Sequence, residues 1–315
     1  MNRPFIYGSR LLHKIEIMNP LNAIWIIGAL LCCHQILWAQ PEKNNLLKGK
    51  KHSATSINLE AQTFLQSSLK SLKEKEEEDA PPIQGVLEVP VKIHVVQDGN
   101  SSGNITIANV QAAFEQLDRY FLPAYIRFVP LGDYNYINKA AYYDLDKEKE
   151  ESLLCSAYDV ANVINLYLVG SITDEGTQYC GYTYYPKDLD RNVDRILLAQ
   201  DCLMDGVSLA RQMGHYFALF PTAGLGLADI ATQEFVDGSN CATAGDEICD
   251  TPADPGLKLV DVDERCGYIG RKQDLSGRKR FYKPDTRNIM SDNPRLYCCN
   301  HFTPAQYQRM RHALI

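Results

Sequence analysis

The sequence lacks several features that would each point to a particular class of protein. It has no basic excess, because 32 Lys and Arg residues stand against 39 Asp and Glu residues and the formal net charge is -7. This balance disfavours nucleic acid or an anionic membrane surface as a partner. The apolar run Ala23–Cys33 has eleven residues, whereas a helix that spans a bilayer needs about 20. No cysteine pair has the two-residue spacing of zinc knuckles.

Cysteine, in contrast, is plentiful, with ten residues in a chain of 315. Free thiols at this density are unusual in a reducing compartment, so the count indicates a secreted, extracytoplasmic protein. The short apolar run fits a secretory signal. We predict a signal peptide over residues 1–39 with cleavage after Ala39, while translation starting at Met18 stays an open alternative. The basic residues ahead of the run are Arg3, Arg10 and Lys14.

Residues 40–85 contain no cysteine and include the charged run Lys70–Pro82, which ends in two prolines. Such a composition is typical of a solvated helix that runs into a linker. The segment is therefore either the pro-segment of a hydrolase or an ordinary spacer. The remaining residues, 86–315, are expected to form one folded domain.

Hydrophobic periodicity predicts an α+β fold for this domain. Apolar and polar residues alternate in VLEVPVKIHVVQ, which predicts a strand with His94 on its polar face. The segment TIANVQAAFEQLDRYF has apolar residues every three or four positions and Thr106 as its cap, which predicts a helix. Three further strands are predicted in AYIRFVPL, NVINLYLVGSI and DRILLAQ, and a buried helix in VSLARQMGHYFALF. The C-terminal part is rich in loops and closes with a short helix that begins near Thr303.

Six motifs within residues 88–315 resemble the pappalysin and cytophagalysin type of zinc metalloprotease in the metzincin clan. In order, they are NVINLYLVGSI, CGYTYYP, DRILLAQDC, SLARQMGHYFALFPT, DGSNCATAGDEICDTPADP, and RNIMSDNP with CCNHFTPAQYQRMR. The resemblance implies a metzincin-like catalytic domain with a twisted mixed sheet and an active-site helix beneath it. It also implies a loop-rich, disulfide-stapled C-terminal subdomain that is joined through a methionine turn at Met290.

The family binds zinc through the pattern His-Glu-x-x-His-x-x-Gly-x-x-His. Histidines four residues apart share one helix face, the glycine ends the helix, and the third histidine completes the ligand set, while the glutamate is the general base. In this sequence only the second histidine, His215, is present. The other four positions of the pattern hold Arg211, Gln212, Ala218 and Pro221. Without the glycine, the helix is expected to continue to about Leu219 or Phe220.

These replacements change the chemistry of the predicted site. Arg211 stays protonated at physiological pH, Gln212 cannot accept a proton as a base would, and Pro221 has no donor atom. The family also has a transition-state tyrosine two residues after the turn methionine, and Asp292 stands there. We therefore predict a pseudoprotease with no catalytic residues, in which zinc, although typical of the family, is not bound.

Two alternatives stay open. The chain could be an active zinc endopeptidase with a rearranged metal site that combines His215 with His94, His301 or His312. It could also be a structural or interaction module that binds partners through loops away from the cleft. Within the pseudoprotease interpretation, a peptide or protein ligand is expected, and Arg211 could contact its carboxylate.

The resemblance further implies disulfides between Cys241 and Cys266, and between Cys249 and either Cys298 or Cys299. The segment GDEICDTPADP is dense in carboxylates. Oxygen ligands at this density can hold calcium, and related proteins bind calcium near this loop, but capping and turn formation are an equally good explanation. The calcium candidates are Asp246, Asp250 and Asp254.

Overall fold

The computed structural model describes residues 85–99, 105–184, 194–224 and 233–313. The predicted signal peptide (1–39) and, except for Gly85, the predicted pro-segment or linker (40–85) lie outside these residues. Within the described part of the chain, no helix combines the length and apolarity needed to cross a membrane.

A mixed sheet forms the centre of the domain. Its strands are β1 (Leu87–Gln97), β2 (Ile126–Pro130), β3 (Asn135–Asn138), β5 (Ile164–Val169), β8 (Gly181–Thr183) and β9 (Arg195–Ala199). They lie in the order β2-β1-β5-β9-β8, and β3 also pairs with β1. All pairings are parallel except that between β8 and β9, which is antiparallel. The described residues thus combine helices and strands around a mixed sheet, as predicted, although most of its strand pairs are parallel.

Helices cover one face of the sheet and enclose the larger core. They are α1 (Ile107–Phe121), α3 (Ser208–Tyr216) and α4 (Pro304–Ala313). The start of α1 is as predicted, because the Thr106 hydroxyl accepts a hydrogen bond from the backbone N–H of Asn109 and the Asn109 side chain accepts one from Thr106. Such a reciprocal cap fixes the helix start. Apolar side chains of the strands and of α3, including Leu166 and Met213, share this core with Met290.

A second, smaller core covers the opposite face of the sheet. It includes Tyr167 and Tyr182 and is closed by α2 (Lys147–Tyr158) and a three-stranded sheet of β4 (Asp144–Asp146), β6 (Ser171–Asp174) and β7 (Thr177–Tyr179). Helix α2 is not predicted from the sequence, because it begins with the charged run KEKEE and its buried apolar residues are only Leu154 and Cys155. With both faces covered, every residue of β5 is buried, as expected for a central parallel strand.

The expected solvent-facing position of His94 is wrong. Its ring is fully buried and stacks on Tyr167 with the ring centroids 4.3 Å apart. Nε2 donates to the Asn165 side-chain oxygen at 3.0 Å, and Nδ1 accepts from Asn135 at 2.9 Å. Alternation alone could not reveal this, because the second core buries the polar-looking side of β1 as well.

Three disulfides link six of the eight described cysteines, and they differ from the expected pairs. Cys241 bonds to Cys249, and Cys266 bonds to Cys298. Turns between residues 241 and 249, with positive φ angles at Gly245 and Glu247, bring the ends of that short loop together. The third bond joins Cys180 to Cys202. Cys299 is a free thiol in the main core, as is Cys155 in the smaller one.

Candidate active site

Helix α3 carries three of the five positions of the predicted motif. It follows Asp205, whose carboxylate oxygen Oδ1 accepts hydrogen bonds from the backbone N–H groups of Val207 and Ser208 at 2.8 and 2.7 Å. Every residue from Ser208 to His215 is buried. The helix therefore has no solvated face, and its polar side chains must find partners inside the protein.

His215 lies in the last turn of α3. Its Nδ1 donates to the carbonyl oxygen of Leu219 at 2.8 Å, which fixes the tautomer and leaves Nε2 as the nitrogen with the lone pair. The pKa of His215 is lowered to about 3, chiefly by burial; the hydrogen bond to Leu219 acts in the opposite direction, and the positive charge of Arg211 in the same direction as burial. The imidazole is therefore neutral, the form in which histidine binds metals.

Arg211, one turn before His215, extends to the turn that contains Met290. Its Nε donates to the carbonyl oxygen of Ile289 at 2.9 Å, and a terminal nitrogen donates to the carbonyl oxygen of Ser291. The side chain is almost fully buried. The guanidinium therefore links α3 to both sides of Met290 through charge-assisted hydrogen bonds, which are stronger than neutral ones.

Gln212 stands at the position of the family's general base. Its Nε2 donates to the carbonyl oxygen of Gly181 in β8 at 3.2 Å. Its Oε1 is buried and accepts no hydrogen bond from the described residues. A side-chain amide has no titratable carboxylate, so Gln212 can hold α3 against the edge strand but cannot take a proton from water.

The chain leaves α3 in the geometry that a glycine would adopt. The helix ends at Tyr216, and Ala218 has a φ of 65°. The expected continuation of the helix to Leu219 or Phe220 is therefore wrong. Leu219 donates its backbone N–H to the carbonyl of Gly214 at 2.9 Å, a bond that closes the helix C-terminus. Pro221, at the third-ligand position, is buried and offers no donor atom to a metal.

Met290 lies directly beneath α3. A Cβ added to Gly214 would be 2.7 Å from the Met290 sulfur, so the glycine is needed for this close approach. The turn is closed by a hydrogen bond from Ser291 N–H to the Asn288 carbonyl at 3.1 Å. The Asn288 side-chain oxygen also accepts from the N–H of Met290 at 2.8 Å. The methionine turn that the resemblance implied is thus adjacent to the helix that carries His215.

Asp292, at the position of the family's tyrosine, has one buried oxygen, Oδ1, that accepts no hydrogen bond from the described residues. The pKa of Asp292 is raised to about 8, chiefly by burial; the charge of Arg211 acts in the opposite direction and that of Asp254 in the same direction as burial. The carboxyl is therefore mostly protonated at neutral pH.

The three calcium candidates have different surroundings. Both carboxylate oxygens of Asp250 accept hydrogen bonds at the start of α4, from the hydroxyl of Thr303 at 2.6 Å and from the N–H of Ala305 at 2.9 Å. Asp250 is therefore a helix-capping residue. Asp254 accepts from the Thr222 hydroxyl at 2.6 Å and from the N–H of Gly256 at 2.9 Å, and burial raises its pKa.

Asp246 has one carboxylate oxygen without a hydrogen-bond donor in the described part of the chain, and its neighbour Glu234, which the sequence did not suggest, has another. Oδ2 of Asp246 and Oε2 of Glu234 are buried and accept no hydrogen bond from the described residues. Burial raises the pKa of Asp246 to about 7 and that of Glu234 to about 8, the latter also through repulsion by Asp246 and Asp254. Glu234 lies in a loop with no motif of its own, so only the three-dimensional arrangement identifies it.

The histidines of the rearranged-site alternative do not gather around His215. Both ring nitrogens of His94 are bonded to asparagines, and His301 Nε2 lies 2.8 Å from an Asp285 oxygen. Among the described residues, the group of three potential ligands with atoms within 4.8 Å of one another is Cys180, Cys202 and Asp205. Since these two cysteines form a disulfide, that group is not a metal site. His312, in the last turn of α4, belongs to no such group.

The mixed sheet, the buried helix with His215 and the methionine turn beneath it together define the metzincin-like metalloprotease fold. Solved structures of mirolysin from Tannerella forsythia are similar to this chain. Mature mirolysin in complex with a cleaved peptide has a TM-score of 0.52 and 17% sequence identity, covering 73% of this chain and 92% of that chain. A promirolysin mutant has a TM-score of 0.56 and 18% identity, covering 81% and 87%.

At this level of identity the likeness establishes the fold alone. At the level of sequence, no protein-family profile and no curated protein matches the chain. The three disulfides fit an oxidising, extracellular environment.

Proposed function

We propose that this chain is a secreted pappalysin-type pseudoprotease, which uses a metzincin-like scaffold to bind a peptide or protein and does not hydrolyse it. The observation that carries the proposal is the Arg211 side chain. At the position of the first zinc ligand, it donates hydrogen bonds to the carbonyls of Ile289 and Ser291. The side chain thereby links helix α3 to the methionine turn and is not directed at a metal ion.

The residues at the motif do not fit zinc. The neutral imidazole of His215 could act as one ligand, but Arg211 brings a permanent positive charge one turn away on the same helix. A unit charge about 4 Å from a divalent ion costs about 8 kcal/mol at an effective dielectric constant of 20. Pro221 contributes no ligand, and Gln212 cannot act as the base. No step of peptide hydrolysis can therefore be derived for these residues.

A peptide is proposed as the ligand because an edge of the sheet lies beside α3. Strand β8 is the terminal strand in the sheet order, and an edge strand can pair with an extended peptide through backbone hydrogen bonds. Gln212 fixes β8 to the helix through Gly181. Mirolysin, which has the same fold, was solved with a cleaved peptide, and we transfer only the peptide class of ligand to this chain.

Calcium is proposed as a structural ion that the loop after α3 holds. Glu234 and Asp246 each have a buried carboxylate oxygen without a hydrogen-bond donor among the described residues. Hard oxygen donors of this kind suit calcium. Bound calcium would supply the positive charge that offsets two neighbouring buried carboxylates, so its contribution would be to stability.

The test of the pseudoprotease proposal combines metal content with a gain-of-function variant. The purified secreted protein is dialysed against zinc, analysed for metal by mass spectrometry, and incubated with a peptide library with and without chelator. We expect no stoichiometric zinc and no chelator-sensitive cleavage. Stoichiometric zinc with chelator-sensitive cleavage by the natural protein would overturn the proposal.

The variant Arg211→His with Gln212→Glu and Pro221→His restores the motif residues. Because Ala218 already has the left-handed conformation of the motif glycine, we expect this variant to bind zinc. The matched control adds His215→Ala to the same background and should lose the metal. If the triple variant is folded and fails to bind zinc, the assignment of these positions is wrong.

A further inference from the structure

A basic hairpin lies in the loop-rich C-terminal part, within the loop that the Cys266–Cys298 disulfide closes. Residues 271–283 contain six Lys or Arg residues and one Asp, in a chain whose formal net charge is -7. Gln273 and Phe281 form an antiparallel bridge. Backbone hydrogen bonds from Asp274 to Arg280 and from Tyr282 to Lys272 flank that bridge.

The hairpin has an inner and an outer face. On the inner face, Asp274 and Tyr282 are almost fully buried. Asp274 accepts from the N–H of Val236 at 3.0 Å and from the Ser276 hydroxyl at 2.8 Å. The Tyr282 hydroxyl donates to the carbonyl of Glu234 at 3.2 Å. These contacts fix the hairpin to the domain, so its outer face is presented in one orientation.

The outer face combines cations with an aromatic ring. Arg271, Gln273, Phe281 and Lys283 are exposed, and Phe281 keeps 54% of its surface accessible. The register of the hairpin places Arg271 opposite Lys283, at the next position on the same face. Arg271 and Lys283 therefore add two like charges at the base of the outer face.

The six cations of the hairpin differ in their partners, and Lys272 donates to the carbonyls of Pro255 and Gly256 at 3.2 and 3.1 Å. Arg278 and Arg280 form ion pairs with the carboxylate of Asp237 at 3.4 and 3.2 Å. Arg271, Lys283 and the exposed Lys279 at the tip form no ion pair with a described residue. These three cations therefore retain their positive charge for a partner outside the chain.

We propose that this outer face, formed by Arg271, Lys279, Phe281 and Lys283, binds an anionic polysaccharide. Sulfate or carboxylate groups would pair with the cations, and the apolar face of a sugar ring would pack on the exposed aromatic ring. Three disulfides indicate an oxidising compartment outside the cytosol, and anionic polysaccharides are among the polyanions found there. The proposed site does not include Arg211 or His215 and does not depend on the proposed pseudoprotease role.

The experiment measures binding of the full-length secreted protein to immobilised heparin, with polygalacturonate and a single-stranded oligothymidylate as competitors, at about 0.15 M salt. The test variant is Arg271→Gln with Lys283→Gln. The matched control removes two exposed cations elsewhere, Arg119→Gln with Lys139→Gln. Thermal unfolding shows whether each variant is folded. Because Arg271 and Lys283 are exposed and form no ion pair with a described residue, the test variant should be as stable as the natural protein.

We expect the test variant to bind heparin about tenfold more weakly, since exposed charge pairs contribute modestly, and the control to change by less than about twofold. Phe281→Ala should weaken binding further while leaving the salt dependence unchanged. Equal losses in test and control variants, or no binding by the natural protein, would overturn the proposal. Preferential displacement by the oligonucleotide would also overturn it and would assign the face to nucleic acid.

Discussion

Replacing Arg211 by alanine should destabilise the fold strongly, because the guanidinium is buried and bonds α3 to the turn around Met290. The variant leaves the carbonyls of Ile289 and Ser291 without their donor. Hydrogen bonds to a charged group contribute about 1.5–3 kcal/mol each. Two such bonds, with partial recovery by water, give an expected loss of about 3–5 kcal/mol in the free energy of unfolding.

The assay is urea unfolding without reductant, followed by circular dichroism. Arg119→Ala is the control, because Arg119 is exposed on α1 and should change stability by less than about 0.5 kcal/mol. Arg211→Lys keeps the charge but not the planar fork of donors, so an intermediate loss is expected. A loss below about 1 kcal/mol for Arg211→Ala would show that the guanidinium does not hold the turn, and the reasoning above would fail.

Three other predictions follow from single contacts. Gly214→Ala should cost about 1–3 kcal/mol through overpacking against Met290, and Met290→Ala in the same chain should recover part of it in urea unfolding. The pKa of Glu234 is raised from 4.5 to about 8 in the folded state, so between these pH values the folded state binds a proton that the unfolded state has released. With divalent ions chelated, the free energy of unfolding should therefore fall as the pH rises from about 4.5 to 8. Glu234→Gln should reduce this dependence on pH. Replacing both Cys266 and Cys298 by serine removes a disulfide whose cysteines are 32 residues apart in sequence. The free energy of unfolding should fall by about 4 kcal/mol in thermal or urea unfolding. An unchanged unfolding midpoint would argue against this pair.

The elements that the sequence predicts well are those that local chemistry determines. Helix α1 begins at the predicted cap because Thr106 and Asn109 satisfy each other's backbone groups, a rule that needs no tertiary information. Strands β1, β5 and β9 likewise lie where their runs of apolar residues predict them. His94 illustrates the limit, since alternation assigns it to a polar face and cannot show that a second core covers that face.

The details of the candidate site depended on contacts that sequence spacing does not encode. The Cys241–Cys249 bond results from left-handed residues between the two cysteines. The capping role of Asp250 depends on the position of α4, which lies more than fifty residues later in the chain. The sequence predicts Arg211 at a ligand position of the motif, but its partners on the methionine turn become visible only in three dimensions.

Ala218 shows how the scaffold and the metal chemistry can be separated. A left-handed conformation costs an alanine about 1–2 kcal/mol, so loss of the glycine predicted a longer helix. In the structure, however, Phe217 and Leu219 on either side are fully buried in the main core. Burying each such side chain contributes about 1.5–3 kcal/mol, which exceeds the strain. Packing therefore maintains the turn at Ala218. Under the proposed function, residues 211, 212 and 221 change the side-chain chemistry of the site and not the path of the chain.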